Sequence, residues 1–174
     1  NRGLMHFDLQ TSPQDVRSLA EAIVRDTAVL YPDAALHLET SCPSQPDAVM
    51  ELDPIRVQQA VGNVLRNAIK FTEAPHEISV ESSISRDGWR IVIRDNGIGI
   101  PAAELEQIRE PFYRGSNANR LSVRGTGLGL HIVDLIMDSH GGTMKIRSKE
   151  NEGTEVELFF LRRETNPSEI DSTH

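Results

Sequence analysis

The chain has 174 residues and a formal charge of −8, from 18 Lys and Arg against 26 Asp and Glu, with 38% hydrophobic and 5% aromatic residues. That length suits one domain with its own core, and the acidic balance argues against a nucleic-acid partner. No apolar run approaches the roughly 18 residues a membrane span needs, the start Asn1-Arg2-Gly3-Leu4 lacks the apolar core of a signal peptide, and the one cysteine, Cys42, excludes an internal disulfide and suits a reducing compartment.

In chain order, Phe7-Asp8-Leu9 is a short alternating run, and Ser12-Pro13 reads as a helix start, with serine as cap and proline in the first turn. Val16, Leu19, Ala20, Ile23 and Val24 then recur at helical spacing until Tyr31-Pro32-Asp33. Strands are expected at Leu36-His37-Leu38 and Val49–Leu52, with a loop between them at Cys42–Asp47. Asp53-Pro54 repeats the cap-then-proline signal and opens a helix to about Phe71-Thr72. Two alternating runs, around Ile78-Ser79-Val80 and Trp89-Arg90-Ile91, flank Arg86-Asp87-Gly88 and predict a hairpin. A short helix is expected near Glu104–Ile108, and an apolar helix from Gly129 to Ser139, closed by Gly141-Gly142. Met144–Ser148 and Val156–Phe160 form a second predicted hairpin. Two hairpins and three long helices favour an α+β fold: a two-layer sandwich with a mixed, mostly antiparallel sheet of about five strands and the helices on one face.

Three segments carry chemistry. On the helix from Arg56 to Phe71, Val57, Ala60, Val61, Val64, Leu65, Ala68 and Ile69 share an apolar arc, while Asn63, Asn67 and Lys70 line a polar stripe at i, i+4 and i+7. A solvated helix face explains such a stripe, but asparagine is a mediocre helix former. An amide oxygen can join a magnesium shell, and a lysine one turn on can hold a phosphate. Asp95-Asn96-Gly97-Ile98-Gly99-Ile100-Pro101 follows a strand. It is either a plain turn or a place where Gly97 and Gly99 let a flat ring approach, Asp95 accepts its hydrogen bond, and Ile98 and Ile100 line its faces. Gly125-Thr126-Gly127-Leu128-Gly129-Leu130 opens a helix whose free amides can attract phosphate, after a polar segment from Gly115 to Arg124 that suits a lid.

Taken together, N-V-L-R-N-A-I-K-F-T, D-N-G-I-G-I-P, E-P-F-Y-R-G and G-T-G-L-G-L resemble, in order, the ATP-binding catalytic domain of sensor histidine kinases. That domain belongs to the superfamily it shares with gyrase, the mismatch-repair ATPase and a heat-shock chaperone, the Bergerat fold. The resemblance runs from about Ser12 to Leu161. It implies ATP and Mg2+ as cofactors, with Asp95 accepting from the adenine amine, Gly99 beside the ring and Thr154 supporting the same contact. It implies Asn67 as the magnesium ligand, Asn63 and Lys70 around the phosphates, and Gly127 and Gly129 with the following amides as the phosphate cradle. Phe71, Gly97, Ile100, Tyr113, Thr126, Leu128 and Leu130 complete the implied nucleotide contacts. Asn63, Lys70 and Arg114 are the implied catalytic set, Arg114 reaching the terminal phosphate, and Phe112 anchors the lid segment. Many members carry an aromatic three positions before Phe112, where this chain has Arg109, so the lid is expected to be looser or Arg109 to face solvent.

The hydrolytic branch of the superfamily has a glutamate at the position of Asn63, and an amide is no general base. The resemblance therefore implies γ-phosphoryl transfer to a histidine on a separate helical dimerisation domain in two-component signalling, with a response regulator downstream. A gyrase-like hydrolysing module and a degenerate nucleotide-binding domain without transfer are the alternatives. His6, His37, His76, His131, His140 and His174 are scattered, none in the acceptor pattern and none paired for a metal. The expected organisation is the end of a linker over residues 1–11, the catalytic domain over 12–163 with its lid at about 115–124, and a disordered tail over 164–174. The expected setting is cytoplasmic, as a monomeric portion of a membrane-anchored sensor.

Overall fold

Ser12-Pro13 and Asp53-Pro54 carry the same signal, yet only the second starts a helix. The computed structural model describes residues 6–42, 47–121 and 124–163. The expected tail at 164–174, the first five residues of the expected linker, residues 43–46 of the expected loop and residues 122–123 of the expected lid lie outside the described residues. Ser12–Asp15 is a short strand, β1, and helix α1 follows at Val16–Leu30. β1 pairs antiparallel with β3 (Val49–Leu52), Ser12 opposite Leu52 and Asp15 opposite Val49. Proline is tolerated in such an edge strand because it needs no ladder donor there. The cap of α1 is Asp15, not Ser12: its carboxylate accepts from Arg17 N at 3.0 Å and Ser18 N at 3.1 Å. A charged acceptor at the positive end of a helix outcompetes a hydroxyl three residues upstream. Phe7-Asp8-Leu9 forms no strand. Phe7 packs against the core instead, and its ring lies under the Arg56 guanidinium at 4.0 Å.

β2 (Ala34–Thr40) leads through β3 to α2 (Pro54–Lys70), capped by Asp53 as expected, whose carboxylate accepts from Ile55 N and Arg56 N. β4 (His76–Ile84) and β5 (Gly88–Asp95) form the first hairpin. Two 3-10 turns, Ala102–Glu104 and Gln107–Arg109, stand where one short helix was expected. Helix α3 (Gly129–Ser139) precedes the second hairpin, β6 (Thr143–Lys149) and β7 (Gly153–Leu161). The main sheet has five strands in the order β2-β4-β5-β7-β6, parallel only between β2 and β4. The fold is therefore the expected α+β sandwich.

The register decides which face the helices cover. Ile93 sits opposite Val80 on one side and Val156 on the other, and Ile91 opposite Leu158. With Trp89 stacked on Phe160 at 5.2 Å between ring centroids, these side chains form a buried inner face. The outer face alternates charges, Arg90 with Glu157 and Arg94 with Glu81 and Glu155. Each large apolar side chain buried on the inner face contributes roughly 1.5–3 kcal/mol, against about 0–1 kcal/mol for an exposed ion pair, so burial sets the layering. α2 packs on β4 and β5, between α1 on β2 and β4 and α3 on β6 and β7. No helix among the described residues is long and apolar enough to cross a membrane.

Candidate functional site

Between the polar stripe of α2, the end of β5 and the start of α3 lies a cavity of about 230 Å³. Its wall is apolar at Val64, Ala68, Ile93, Ile98, Ile146 and Val156 and cationic at Lys70, Arg114 and Arg124. The described charged residues lining it are four cations, these three and Arg66, against one carboxylate, Asp95: a net +3 in a chain of −8. Among the expected site residues, Asn63, Asn67, Lys70, Phe71, Asp95, Gly99, Ile100, Tyr113, Arg114, Thr126, Gly127, Gly129, Leu130 and Thr154 all line it. Gly97 and Leu128 do not; Leu128 is the cap residue of α3.

Asp95 ends β5 opposite Thr154, the second residue of β7. Its Oδ1 accepts from Gly97 N at 2.8 Å and Thr154 N at 3.2 Å. Its Oδ2 takes no hydrogen bond from the described residues. Burial pushes this carboxyl up to about 6, against the downward pull of the two N–H bonds. Beside it, Ser148 Oγ accepts from Ile100 N at 2.8 Å and donates to the Gly153 carbonyl at 2.9 Å. A serine has one proton, so in the 2.7 Å contact between the two hydroxyls Thr154 is the donor. Thr154 Oγ1 is then left with lone pairs only. Two acceptors, Asp95 Oδ2 and Thr154 Oγ1, thus stand on paired residues next to the apolar Ile93–Val156 pair. Ser148 has no motif around it, and its alternation within β6 was the one available signal.

The two loop glycines serve packing before any ring. A Cβ on Gly97 would lie 2.2 Å from the Phe71 carbonyl oxygen, where the loop is tied to the end of α2 by Ile98 N donating to the same oxygen at 2.9 Å. Gly99, at φ +65°, would place a Cβ 2.0 Å from the Lys149 carbonyl oxygen in the β6–β7 turn. Neighbouring backbone thus fills the space that a side chain on either glycine would need.

On α2, Asn63 is engaged through both its nitrogen and its oxygen. Its Nδ2 donates to the Gly129 carbonyl at 3.2 Å, and its Oδ1 accepts from Arg66. Asn67 makes no side-chain hydrogen bond within the described residues, and its amide lies 3.8 Å from the position a Cβ on Gly129 would take. No side chain caps the first turn of α3, so its amides are open to an anion. Among the described residues no group of three or more His, Cys, Asp and Glu could hold a metal. His140 is a satisfied core histidine, with Nε2 accepting from Asp53 N at 3.2 Å and Nδ1 facing the Ile136 carbonyl at 2.9 Å.

The segment over the cavity is held at several points. Asn117, buried, donates from Nδ2 to the Gly99 carbonyl at 2.9 Å. Ser116 N donates to the Glu104 carboxylate at 2.9 Å, and the Tyr113 hydroxyl bonds the same group. Arg109 neither dangles nor loosens the segment: it donates to Asp134 on α3 at 3.1 Å and to the Met144 carbonyl on β6 at 2.7 Å. A cation that bridges two separate acceptors, on α3 and β6, thus stands at the aromatic's position. Phe112 is not buried as an anchor. It is 73% exposed at φ 66°, and the fixed point there is its N–H, donating to the Gly127 carbonyl at 3.0 Å.

Residues 52–165 match the family model described as histidine kinase-, DNA gyrase B- and HSP90-like ATPase. The chain is 35% identical over 156 residues to the sensor histidine kinase YkoH of Bacillus subtilis, covering 90% of this chain and 33% of that protein. It superposes on the mycobacterial sensor histidine kinase MprB with a TM-score of 0.72 at 25% identity, covering 88% of this chain and 98% of that one. Full-length ShkA, solved in complex with AMPPNP, shares the fold at a TM-score of 0.76 and 23% identity, over 92% of this chain and 33% of that one. The chain spans a third or less of the length of the curated relatives it matches first. A match over more than half its length, on the helix, loops and sheet that build the cavity, makes this chain a member of the histidine kinase-, DNA gyrase B- and HSP90-like ATPase family.

Proposed function

We propose that the chain binds Mg-ATP and passes its γ-phosphoryl group to a histidine on a separate dimerisation domain, as the catalytic part of a cytoplasmic two-component sensor kinase with a response regulator downstream. The observation that carries this reading is the lining of one cavity, which joins paired acceptors on Asp95 and Thr154 beside apolar side chains with cations and the open amides of α3. An adenine ring suits the acceptors, its amine offering two N–H donors to Asp95 Oδ2 and Thr154 Oγ1. A triphosphate suits the cations and amides, held by Lys70, Arg114 and the first turn of α3.

Asn67 fits a magnesium ion brought by the nucleotide: a neutral hard oxygen donor, unspent on other side chains, beside the phosphate end. When bound, the ion neutralises developing charge on the phosphates. The chain's own contribution is positioning and electrostatics. Lys70 and Arg114 offset charge on the transferring group, the 112–118 segment shields the site from water, and Asn63, with its amide oxygen committed to Arg66, offers no base to activate water. The histidine nitrogen of the acceptor forms the new bond to phosphorus as the bond to the β-phosphate oxygen breaks, and ADP leaves.

The experiment is to mix this chain, labelled ATP and a histidine-bearing helical domain from a sensor kinase. Acid-labile label on that domain supports transfer. Label released only as inorganic phosphate points to the hydrolytic alternative, and neither product points to a domain that binds without transfer.

A further inference from the structure

Gly62 sits buried in the middle of α2, where glycine is a poor choice for a helix. The contact that explains it is local. A Cβ on Gly62 would lie 3.3 Å from Arg66 Nη1 and 3.9 Å from its Cζ. The glycine therefore provides the bed on which the Arg66 guanidinium lies back along the helix by one turn. From there Arg66 donates to Asn63 Oδ1, and Asn63 donates onward to the carbonyl of Gly129, the first residue of α3. Within the described residues Arg66 has no carboxylate partner, although it lines the cavity. A cation laid against a helical glycine with, among the described residues, only a neutral amide as partner is placed for something other than an ion pair.

We propose that Arg66 is a positioning residue, and that Gly62, Arg66 and Asn63 form a relay that sets the start of α3 against α2 and so fixes the phosphate-binding frame. An amide at position 63 can turn either way round. With the guanidinium on its oxygen, its NH2 must face α3. Removing Arg66 frees the amide to turn and releases the Gly129 carbonyl. The amides of the same helical turn, which would hold the phosphates, then lose their fixed position. The adenine end, built on Asp95 and Thr154 beside the loop that bonds Phe71 after the end of α2, does not pass through this relay. The inference rests on the nucleotide reading above and adds residues to which the motifs gave no role.

The test compares Mg-ATP with adenosine, which has no phosphate, as ligands of this chain and of Gly62→Ala, Arg66→Ala and Arg66→Lys. Expected is a loss of about tenfold in Mg-ATP affinity for Gly62→Ala and Arg66→Ala, with adenosine affinity within about twofold of the parent chain. Gly62→Ala should also raise the melting midpoint by a few degrees, since alanine favours the helix. A more stable protein that holds phosphate less well is an outcome a purely structural glycine does not produce. Arg66→Lys keeps the charge without the fork and should stay near the Arg66→Ala level. Parent-like Mg-ATP affinity in either alanine variant, parent-like affinity in Arg66→Lys, or an equal loss for adenosine would overturn the proposal. A readout independent of nucleotide separates this from failure of the nucleotide reading. The Asn63 side-chain NH2 resonances should exchange slowly in the free parent chain and become solvent-like in Arg66→Ala. Unchanged resonances refute the relay whether or not ATP binds.

Discussion

Replacing Asp95 by asparagine should make the chain more stable and blind to adenine at once. In the free protein this carboxyl is pushed up to about 6 by burial, from 3.8 for an exposed aspartate. Holding it ionised at pH 7 therefore costs the fold about 3 kcal/mol. The two backbone N–H bonds to Oδ1 are already counted in that net shift, and an amide oxygen can keep both. The neutral amide would thus relieve about 2–3 kcal/mol, a rise on the order of 5–10 °C in melting midpoint for a chain of this size. The same geometry turns the new NH2 into the cavity where Oδ2 stood. It then meets the amine of adenine donor to donor, which costs about 3 kcal/mol or on the order of 100-fold in affinity. Thermal unfolding at pH 7 and calorimetric titration with adenosine read the two effects separately. An Asp95→Asn protein that binds adenosine normally refutes the adenine assignment, and one that melts lower refutes the burial argument.

Adenosine does not titrate between pH 5 and 8, so its affinity for the parent chain should report Asp95 alone: flat above about pH 7 and falling about tenfold per unit below pH 6, as protonation removes the acceptor, whereas a flat profile down to pH 5 contradicts the assignment. His140 carries the opposite slope in stability. Burial lowers its folded pKa below 6.5, so the unfolded chain takes up its proton first and stability is lost as pH falls, while Asp95 holds its proton in the folded state up to about 6 and loses stability as pH rises from 3.8. Urea midpoints of Asp95→Asn should therefore fall more steeply from pH 7 to pH 5 than those of the parent chain. Arg109→Ala should cost about 1–2 kcal/mol through its part-buried bonds to Asp134 and the Met144 carbonyl, with faster hydrogen exchange over residues 107–113, and parent-like exchange there would show that the clamp holds nothing.

The α2 stripe was legible because both of its determinants are local. Helical period places Asn63, Asn67 and Lys70 together, and the apolar arc fixes which side is buried. Asp95 was legible as a carboxylate at a strand end before a glycine-rich loop, although Asp-Asn-Gly by itself reads equally as a plain turn. Long-range partners hid the rest. Ser12–Asp15 reads as a helix start until β3, far along the chain, offers it a ladder. The packing role of Gly97 and Gly99 was hidden because the Phe71 and Lys149 carbonyls beside them come from other turns of the chain. Arg109 looks like a lost aromatic because its acceptors sit on α3 and β6. Asn117 and Ser148 carry no motif, and only the tertiary fold brings them to the Gly99 carbonyl and the Ile100 N–H. The chain's −8 balance hid the site as well, since the cavity wall has the opposite sign to the molecule.

The central claim is that this cavity holds a nucleotide by its base at Asp95 and by its phosphates at the start of α3. Titrating the folded chain with ATP in the presence of magnesium, while following backbone amide resonances, tests it most directly. Saturable shifts confined to Gly97–Ile100, Thr154, Asn67 and Thr126–Leu130 are expected at one-to-one stoichiometry. Folded protein whose resonances in those segments stay still at millimolar ATP would contradict it.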